Sequence, residues 1–413
     1  MPLVRANRLA RAEPGLSLDM GDGLGHIVLM STFRFPTVPT SPEERALRRD
    51  VRAFLAAERA AGGFAPRADC WVSAASPAFS AKLGARGWLG MTWPTEYGGH
   101  ARPPLHRLIV TEELLAAGAP VAAHWIADRQ TGPQILRFGT EDQRRTLLPR
   151  MAAGTCFAAI GMSEPQAGSD LAAVQTKAEK TATGWRLSGR KIWSTGAHFS
   201  DLMIVLARTS PPEGRNRQVG LSQFLVPLNL PGVNISGIRD IAGSVHFNET
   251  LFEDVALPAD ALLGQEGNGW AQCMGELAIE RSGPERYLTT FAIFEQALDA
   301  LRTRLDDSGA AIVGRLAAHL AALRHMSRGI SKLIEDGTPA DTEAALVKQM
   351  GNAFEKDVIA DMRRLLVALP RHEWPAGLQT LLDDAILRLP SNTLRGGTTE
   401  ILHGIIARQL GMR

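Results

Sequence analysis

The spacing of apolar residues changes twice along the chain, and these changes divide the sequence into three parts. From Ser41 to residue 150, apolar residues recur every three or four positions, which predicts amphipathic helices. Over residues 151–262 the period is two, with Gly and Pro between the runs, as in antiparallel strands and their turns. Over residues 263–413 helical spacing returns and predicts five helices, at 267–306, 309–335, 341–369, 376–389 and 397–411.

This order predicts an α+β fold with an N-terminal helical domain, a central antiparallel β domain and a C-terminal helical bundle. Ser41 and Pro42 are typical of a helix start, because Ser caps free N–H groups and Pro fits the first turn. Residues 1–40 fit neither pattern. Their apolar patch is too short and too rich in Gly for a signal peptide, and Met30 is a more natural start. We therefore expect residues 1–40 to be a disordered extension or the result of start-codon choice.

Composition narrows the function classes. The 413 residues are 45% hydrophobic and 21% charged, as in soluble globular proteins, and the net charge of +2 gives no field that would attract nucleic acid or a membrane surface. The three cysteines are far apart, without metal-binding spacing, and no apolar run reaches 18 residues. We expect a reduced, cytoplasmic protein without a membrane span.

Two motifs in the predicted β domain suggest a ligand site. The stretch "FAAIGMSEPQAGSDLAAV" combines small residues with the hydroxyls of Ser163 and Ser169, so a planar or phosphorylated ligand could approach its backbone closely. An ordinary Gly/Ser turn is the alternative. The stretch "KIWSTGAH" places Trp193 beside two hydroxyls, which suits an aromatic cofactor. A core tryptophan on a strand is the alternative.

Two motifs in the predicted bundle carry carboxylates. In "LAIERSGPERYL" and the glutamate directly before it, Glu276 and Glu280 share a helix face, and the apolar residues around Glu280 favour a partly buried base with a raised pKa. A solvated charged face, which would include Glu285 and Arg286 on the same long helix, is the alternative. In "LRGGTTEILHGIIARQLG", two glycines precede a helix start that suits an anion. Glu400 lies in the first turn, where it could simply complement the helix dipole.

These segments, in this order, resemble the acyl-CoA dehydrogenase family. The resemblance is carried by "GWLGMTWPTEYGG", "MSEPQAGSD", "GRKIWST", "LFEDVALPADALLGQEGNGW" and "GGTTEILHGIIARQLG", which extend from about residue 88 to residue 411. It implies FAD bound between the β domain and a C-terminal four-helix bundle, and an acyl thioester substrate. An electron-transferring flavoprotein, or a similar acceptor, would reoxidise the cofactor.

The resemblance also implies roles for single residues. Ser169 would lie between the cofactor and the thioester tail, and the Thr195 hydroxyl would reach flavin N5. The full set of implied cofactor-binding residues is Ile160, Met162, Ser163, Ser169, Trp193, Ser194, Thr195, Gly397, Thr398 and Glu400.

The catalytic base is implied by one branch of the family. In many members a glutamate precedes the Gly-Thr of the final motif, but this chain has Gly396 there. A second branch, which includes the isovaleryl and long-chain enzymes, carries its base on the first long bundle helix, at the position of Glu280. The resemblance then implies that Glu280 takes the α-proton, that flavin N5 takes the β-hydrogen as hydride, and that Arg281, Ser169 and the Gly396 N–H contact the substrate.

One segment departs from the family pattern. The stretch "LRTRLDDSGAAIVGRLAAHLAALRHM" lacks the Phe-Gly and the Gln that reach the FAD of a neighbouring subunit in relatives. This implies either a homo-oligomer with looser FAD binding or a heteromer with a related subunit. Two further functions stay open at this point: a flavin oxidase or monooxygenase on the same fold, and a non-catalytic subunit of a heteromeric acyl-CoA dehydrogenase.

Overall fold

The computed structural model describes residues 33–280 and 282–412, apart from the side chains of residues 276–280. Residues 1–32 of the predicted disordered extension are outside the described residues. Residues 33–40, the last part of that extension, are described and lie against the C-terminal bundle. There the Arg34 N–H donates to Glu343 Oε1 at 3.1 Å, and Phe35 packs against the core.

The N-terminal part is helical, as the apolar spacing predicts. Ser41 caps the first helix by accepting a hydrogen bond from the Glu44 N–H at 3.1 Å, so the predicted helix start is confirmed. A π-helical turn, Ala127–Thr131, joins the fifth and sixth helices. The helices are α1 (Pro42–Ala60), α2 (Cys70–Ser73), α3 (Pro77–Ala85), α4 (Pro104–Ala116), α5 (Ala122–Ile126), α6 (Gly132–Phe138) and α7 (Glu141–Ala152).

The central part is a twisted sheet in the strand order β6-β7-β3-β2-β4-β5-β8, with β1 paired to β4. Most pairs are antiparallel, as predicted, but β1 and β2 each run parallel to β4. The strands are β1 (Ala158–Gly161), β2 (Lys177–Lys180), β3 (Gly184–Thr195), β4 (Leu202–Arg208), β5 (Leu221–Pro227), β6 (Val233–Arg239), β7 (Val245–Pro258) and β8 (Leu262–Leu263).

The C-terminal part is a bundle whose first predicted helix is interrupted. The single helix predicted for 267–306 is wrong, because a 3-10 turn at Pro284–Arg286 separates two helices. Pro284 has no N–H to continue a helix, and Gly283 packs where a Cβ would collide with Glu285 and Arg129. The helices are α8 (Gly269–Glu280), α9 (Phe291–Leu301), α10 (Asp307–Glu335), α11 (Asp341–Leu366), α12 (Leu378–Arg388) and α13 (Thr399–Gln409).

The N-terminal helices and the bundle share one apolar core, whereas the inner part of the sheet has a core of its own. Val51 and Trp71 belong to the same buried cluster as Leu288 and Val347. Ion pairs reinforce this contact: Glu112 of α4 binds Arg48 of α1 at 2.7 Å and Arg324 of α10 at 3.0 Å. The N-terminal helices and the bundle are therefore packed as one unit.

Candidate cofactor and substrate site

The two predicted flavin segments of the β domain lie side by side. The Ser163 carbonyl, just after β1, accepts a hydrogen bond from the Ile192 N–H near the end of β3 at 2.9 Å. The Lys191 Nζ donates to the Met162 carbonyl at 3.0 Å and to Glu164 Oε1 at 2.8 Å. Ile160 in β1 and Trp193–Thr195 at the end of β3 are thus brought to one region.

A buried ion pair fixes this junction. The side chains of Lys191 and Glu164 are 0% and 2% exposed, and Glu164 also accepts backbone N–H bonds from Gln175 at 2.7 Å and Thr176 at 2.8 Å. Burial lowers the pKa of Lys191 to about 8, against the opposing effect of Glu164. Burial alone would raise the pKa of Glu164, but Lys191 and the N–H donors hold that pKa below its usual value.

Sequence reasoning missed this pair, although β3 contains a signal for it. Lys191 has the same parity along the strand as the buried Trp185 and Leu187. Strict alternation therefore points the lysine toward the interior, where a charged group needs a partner.

Trp193 is exposed, so the alternative of a core tryptophan is wrong. The β3–β7 register shifts between Lys191 and Ser194, and Trp193 adopts φ 62°, a left-handed conformation that is strained for a bulky side chain. Its indole is 55% exposed and packs edge-on against Phe247, with ring centroids 5.7 Å apart. A strained, exposed indole beside a loop of small residues suits a planar ligand.

The hydroxyl residues that follow Trp193 differ in their exposure. Ser194 points inward, and its Oγ is buried without a hydrogen-bond partner among the described residues. Its carbonyl accepts from Asn248 Nδ2 at 3.0 Å, which holds the end of the strand. Thr195 is half-buried and pairs with Phe247 of β7. A buried hydroxyl without a partner is typical of a site that a ligand completes.

Ser169 lies in the exposed loop after β1, and the neighbouring Asp170 connects this loop to the segment that lines an open cavity. Asp170 binds Arg217 at 2.8 Å and so ties this loop to the β4–β5 connection. That connection lines a cavity of about 440 Å³ together with the start of α8. The cavity is lined by Thr209, Ser210, Gln218, Val219, Gly220, Glu266, Gly267, Asn268, Trp270 and Ala271.

The third predicted segment forms a glycine turn before α13. Gly396 and Gly397 adopt φ 66° and 105°, and Thr398 caps the helix by accepting from the Ile401 N–H at 3.5 Å. The buried Lys348 of α11 donates to the Gly397 carbonyl at 2.7 Å. Glu400 is exposed, and its own N–H and the Thr398 hydroxyl lower its pKa. Such a carboxylate suits a helix start better than proton abstraction.

A ring of hydrogen bonds that the sequence did not predict surrounds this turn. Glu355 of α11 accepts from the Thr289 N–H at 2.7 Å and from Asn392 Nδ2 at 2.6 Å. Arg395 donates to the Asn392 amide oxygen and to Asp69 Oδ1, the latter at 3.1 Å. The Asp69 N–H donates to the Thr289 carbonyl at 3.1 Å and closes the ring. Burial raises the pKa of Glu355 to about 7, against the lowering effect of the Thr289 hydrogen bonds.

The predicted base lies at the edge of the described residues. Glu280 is the last residue of α8, but its side chain and the whole of Arg281 are outside the described residues, so both roles stay predictions. Glu285 and Arg286, predicted on the same helix, lie in the 3-10 turn and are buried. Glu285 binds Arg129 at 2.8 Å, so the alternative of a solvated charged face is wrong for these two residues.

Helices, sheet and bundle in this order, with two strand-end segments joined beside an exposed indole, are typical of a fold of the flavoprotein oxidoreductase class. Three family descriptions match consecutive parts of the chain: the N-terminal domain of acyl-CoA dehydrogenase over residues 41–155, the middle domain over 159–255 and the C-terminal domain over 267–411. The chain belongs to the acyl-CoA dehydrogenase family, and the predicted fold is confirmed.

Individual relatives agree with this membership. The chain is 41% identical over 204 residues to the acyl-CoA dehydrogenase IpdE1 of Mycobacterium tuberculosis, a match that covers 49% of this chain and only about half, 52%, of that relative. It is 28% identical to the mitochondrial long-chain specific acyl-CoA dehydrogenase of Rattus norvegicus, over 90% of this chain and 87% of that protein. Its fold is similar to the ChsE4-ChsE5 complex from Mycobacterium tuberculosis, with TM-score 0.77 and 26% identity over 92% of this chain and 99% of that chain.

Within the part of the chain that the structure describes, no helix is both long enough and apolar enough to cross a membrane.

Proposed function

We propose that the chain removes hydrogen from Cα and Cβ of an acyl thioester, with FAD as its cofactor. Membership in the acyl-CoA dehydrogenase family supports the class of reaction. The observation that carries the proposal is the junction of the Met162–Ser163 segment with Trp193–Thr195 through Lys191. That junction presents an exposed indole beside a loop of small residues, which suits a flat cofactor.

The residues present fit FAD. Trp193 and Ser194 would contact the ring system, and the Gly396–Gly397 turn would let the cofactor approach the backbone closely. Thr398 begins a helix whose free N–H groups suit phosphate oxygens. The predicted contacts of Ile160, Met162, Ser163, Ser169, Thr195 and Glu400 belong to the same proposal. When bound, FAD supplies the acceptor for a hydride.

Glu280 is the proposed base that takes the α-proton. Gly396 has no side chain that could do so, and Glu400 is exposed with a lowered pKa, as expected for a carboxylate that stays ionised at a helix start. Glu280 ends α8, whose first turn lines the cavity beside Ser169. A carboxylate at the end of this helix could therefore meet a substrate that enters along it.

The Gly396 N–H is the proposed donor to the thioester carbonyl, where negative charge develops as the α-proton leaves. Removing such a donor typically costs about 3 kcal/mol of transition-state stabilisation. The donor belongs to the backbone, so it needs no side chain. The Gly397 carbonyl is held by Lys348 at 2.7 Å, which limits the freedom of this turn. Arg281 and Ser169 complete the proposed substrate contacts.

We also propose a cytoplasmic enzyme that passes electrons to an electron-transferring flavoprotein or a similar acceptor. The ChsE4-ChsE5 structure, whose fold this chain resembles, is a complex. Together with the departures in the α10 segment, this favours a heteromer with a related subunit over a homo-oligomer. Flavin absorbance and molecular mass of the chain purified alone decide between them. One FAD per chain in a homo-oligomer would refute the proposal that the chain needs a related partner subunit.

The decisive experiment compares Glu280→Gln with Glu276→Gln, one helical turn earlier on α8. The wild-type flavin absorbance should bleach when an acyl thioester is added. E280Q should bind FAD normally but lose bleaching, because it cannot accept the α-proton, whereas E276Q should keep it. Bleaching of E280Q at the wild-type rate would remove Glu280 from the mechanism. An FAD-loaded wild type that no acyl thioester bleaches would refute the proposed reaction.

A further inference from the structure

Arg395 directly precedes the glycine turn, and its guanidinium group is held in one position. Its Nη2 donates to Asp69 Oδ1 at 3.1 Å and to the Asn392 amide oxygen. Its guanidinium carbon lies 4.8 Å from the centroid of the Trp71 ring, as in a cation–π contact. The side chain is therefore fixed on one edge by a carboxylate and an amide and on one face by an indole.

The rest of the guanidinium group is unsatisfied. The Nε and Nη1 atoms are buried and have no hydrogen-bond partner among the described residues. The side chain as a whole keeps 14% of its accessible surface. Buried donors without partners cost free energy, and native proteins keep them mainly where a ligand or water completes the bonds.

The surroundings of Arg395 are aromatic and cationic. The Trp71 Nε1 is also buried without a partner among the described residues. The Trp71 ring lies 5.5 Å from that of Trp125, and Arg129 stacks on Trp125 at 4.8 Å. An unbranched alkyl chain against this surface would leave the N–H donors unpaired, whereas an oxygen acceptor would pair them.

The direction of the side chain indicates which part of a substrate it would meet. Arg395 points to Asp69 and Trp71 of the N-terminal helices. The cavity beside Ser169, by contrast, is formed by the β4–β5 connection and the start of α8. A thioester bound at Gly396 with its carrier toward that cavity would direct its acyl part toward Arg395.

We propose that Arg395 is a specificity-determining residue that donates hydrogen bonds to a carboxylate or carbonyl oxygen on the acyl part of the substrate. The preferred substrates are then acyl thioesters with an oxygen function away from the thioester, and simple fatty acyl thioesters are poor substrates. This inference rests on the proposed function, because it assumes that the thioester binds at Gly396.

The test uses three coenzyme A thioesters of equal chain length: hexanoyl, 5-oxohexanoyl and adipoyl. The FAD-loaded full chain should reduce its flavin with the oxo or the carboxy compound at least about 10-fold more efficiently, in kcat/KM, than with hexanoyl-CoA. Arg395→Met should remove about 10- to 100-fold of kcat/KM for the preferred compound, mostly through KM, as expected for lost bonds to a charged donor. The preference, taken as the ratio of kcat/KM for that compound to kcat/KM for hexanoyl-CoA, should therefore fall toward one.

Two further variants separate recognition from folding. Arg395→Lys keeps the charge beside Asp69 but not the extra donors, so it should fold like wild type and still lose the preference. Arg388→Met removes another buried arginine, which binds Asp384 at 2.8 Å on α12, and should leave the preference unchanged. Dissociation constants of the same three thioesters, measured by calorimetry on the E280Q background, should show the same order.

The outcomes are distinct. A wild type that reduces its flavin as efficiently with hexanoyl-CoA as with both oxygen-bearing compounds would overturn the role of Arg395 while leaving the proposed dehydrogenation intact. The same conclusion would follow if R395M and R395K kept the preference. If none of the three compounds reduces the flavin but calorimetry shows R395-dependent binding of the oxygen-bearing ones, the proposed reaction fails and the recognition stands. Absence of both reduction and binding overturns both.

Discussion

Lys191→Met tests whether the buried ion pair holds the candidate cofactor site together. Lys191 is the residue that joins the two flavin segments, because its Nζ contacts the Met162 carbonyl and the Glu164 carboxylate at once. Met is nearly the same length as Lys, so the variant removes the charge and the donors with little change in volume. Any loss of stability or of FAD in this variant then reports on the electrostatic interactions of Lys191.

The structure indicates how much unfolding free energy K191M should lose. Glu164 would stay at 2% exposure without its counterion, and breaking such a buried pair typically costs about 3–5 kcal/mol. The N–H groups of Gln175 and Thr176 would still stabilise the carboxylate, which favours the lower end of that range. The Met162 carbonyl would also lose its donor, a cost of about 1 kcal/mol. We expect K191M to lower the free energy of unfolding by about 3–4 kcal/mol.

Urea unfolding followed by circular dichroism gives the free energy, and flavin absorbance of the purified protein gives the FAD content. K191M should lose FAD as well as stability, because the two segments separate. Lys177→Met is the matched control: Lys177 pairs with Glu179 in the same sheet, but the side chains are 59% and 60% exposed, and such pairs are worth about 0–1 kcal/mol.

The double variant K191M/E164Q distinguishes two causes of the stability loss in K191M, an unpaired buried charge and lost packing. It has no charge left at the junction, so it should be more stable than K191M alone. A K191M protein within about 1 kcal/mol of wild type, with unchanged FAD content, would refute the role given to the pair. A double variant no more stable than K191M would refute the electrostatic explanation.

Two further predictions concern the glycine turn and its supports. The pKa of Glu355, raised by burial from 4.5 to about 7, means that the folded protein holds this proton more tightly, so its stabilising contribution should decline as pH rises from about 4.5 to about 7. Glu355→Gln should therefore flatten the pH dependence of the unfolding free energy in that window, by up to about 3 kcal/mol. Denaturation at several pH values measures this dependence. Parallel curves for wild type and E355Q would contradict the prediction. Gly397→Ala should destabilise the protein by about 1–2 kcal/mol and weaken FAD retention, because φ 105° is strained for alanine and Lys348 holds the Gly397 carbonyl. Gly404→Ala should instead stabilise the protein by up to about 1 kcal/mol, because Gly404 lies in α13 and an added Cβ there meets no other atom. Thermal unfolding of both variants checks the two signs, and equal shifts would contradict the argument.

Much of the fold follows from local signals. The three parts and the cap at Ser41 depend on residues within a few positions of one another, so the sequence predicts them. The break between α8 and α9 was missed although Gly283 and Pro284 mark it. The surrounding apolar spacing is strongly helical, and the break is also stabilised by Glu285 binding Arg129, 156 residues away.

The site is less predictable, because its contacts join distant parts of the chain. The motifs point to Ser163 and Trp193, but alternation along β3 would turn Trp193 inward with Lys191. The bulge that exposes the indole leaves no clear sequence signal. The partner of Arg395, Asp69, is 326 residues away, and neither residue carries a motif that would pair them.

The two halves of the proposed site are built differently, and this difference bears on how specificity is set. The cofactor half is made of paired strands and a buried ion pair, so a change there affects folding and cofactor together. The acyl half is made of side chains from separate elements, Asp69, Trp71 and Arg395, that meet over the N-terminal helices. Asp69, Trp71 and Arg395 belong to none of the strands proposed to bind FAD, so substitutions among them are expected to change the acyl preference while those strands keep their pairing. The same fold can in this way serve acyl groups of different polarity by exchanging a few residues on one side of the glycine turn.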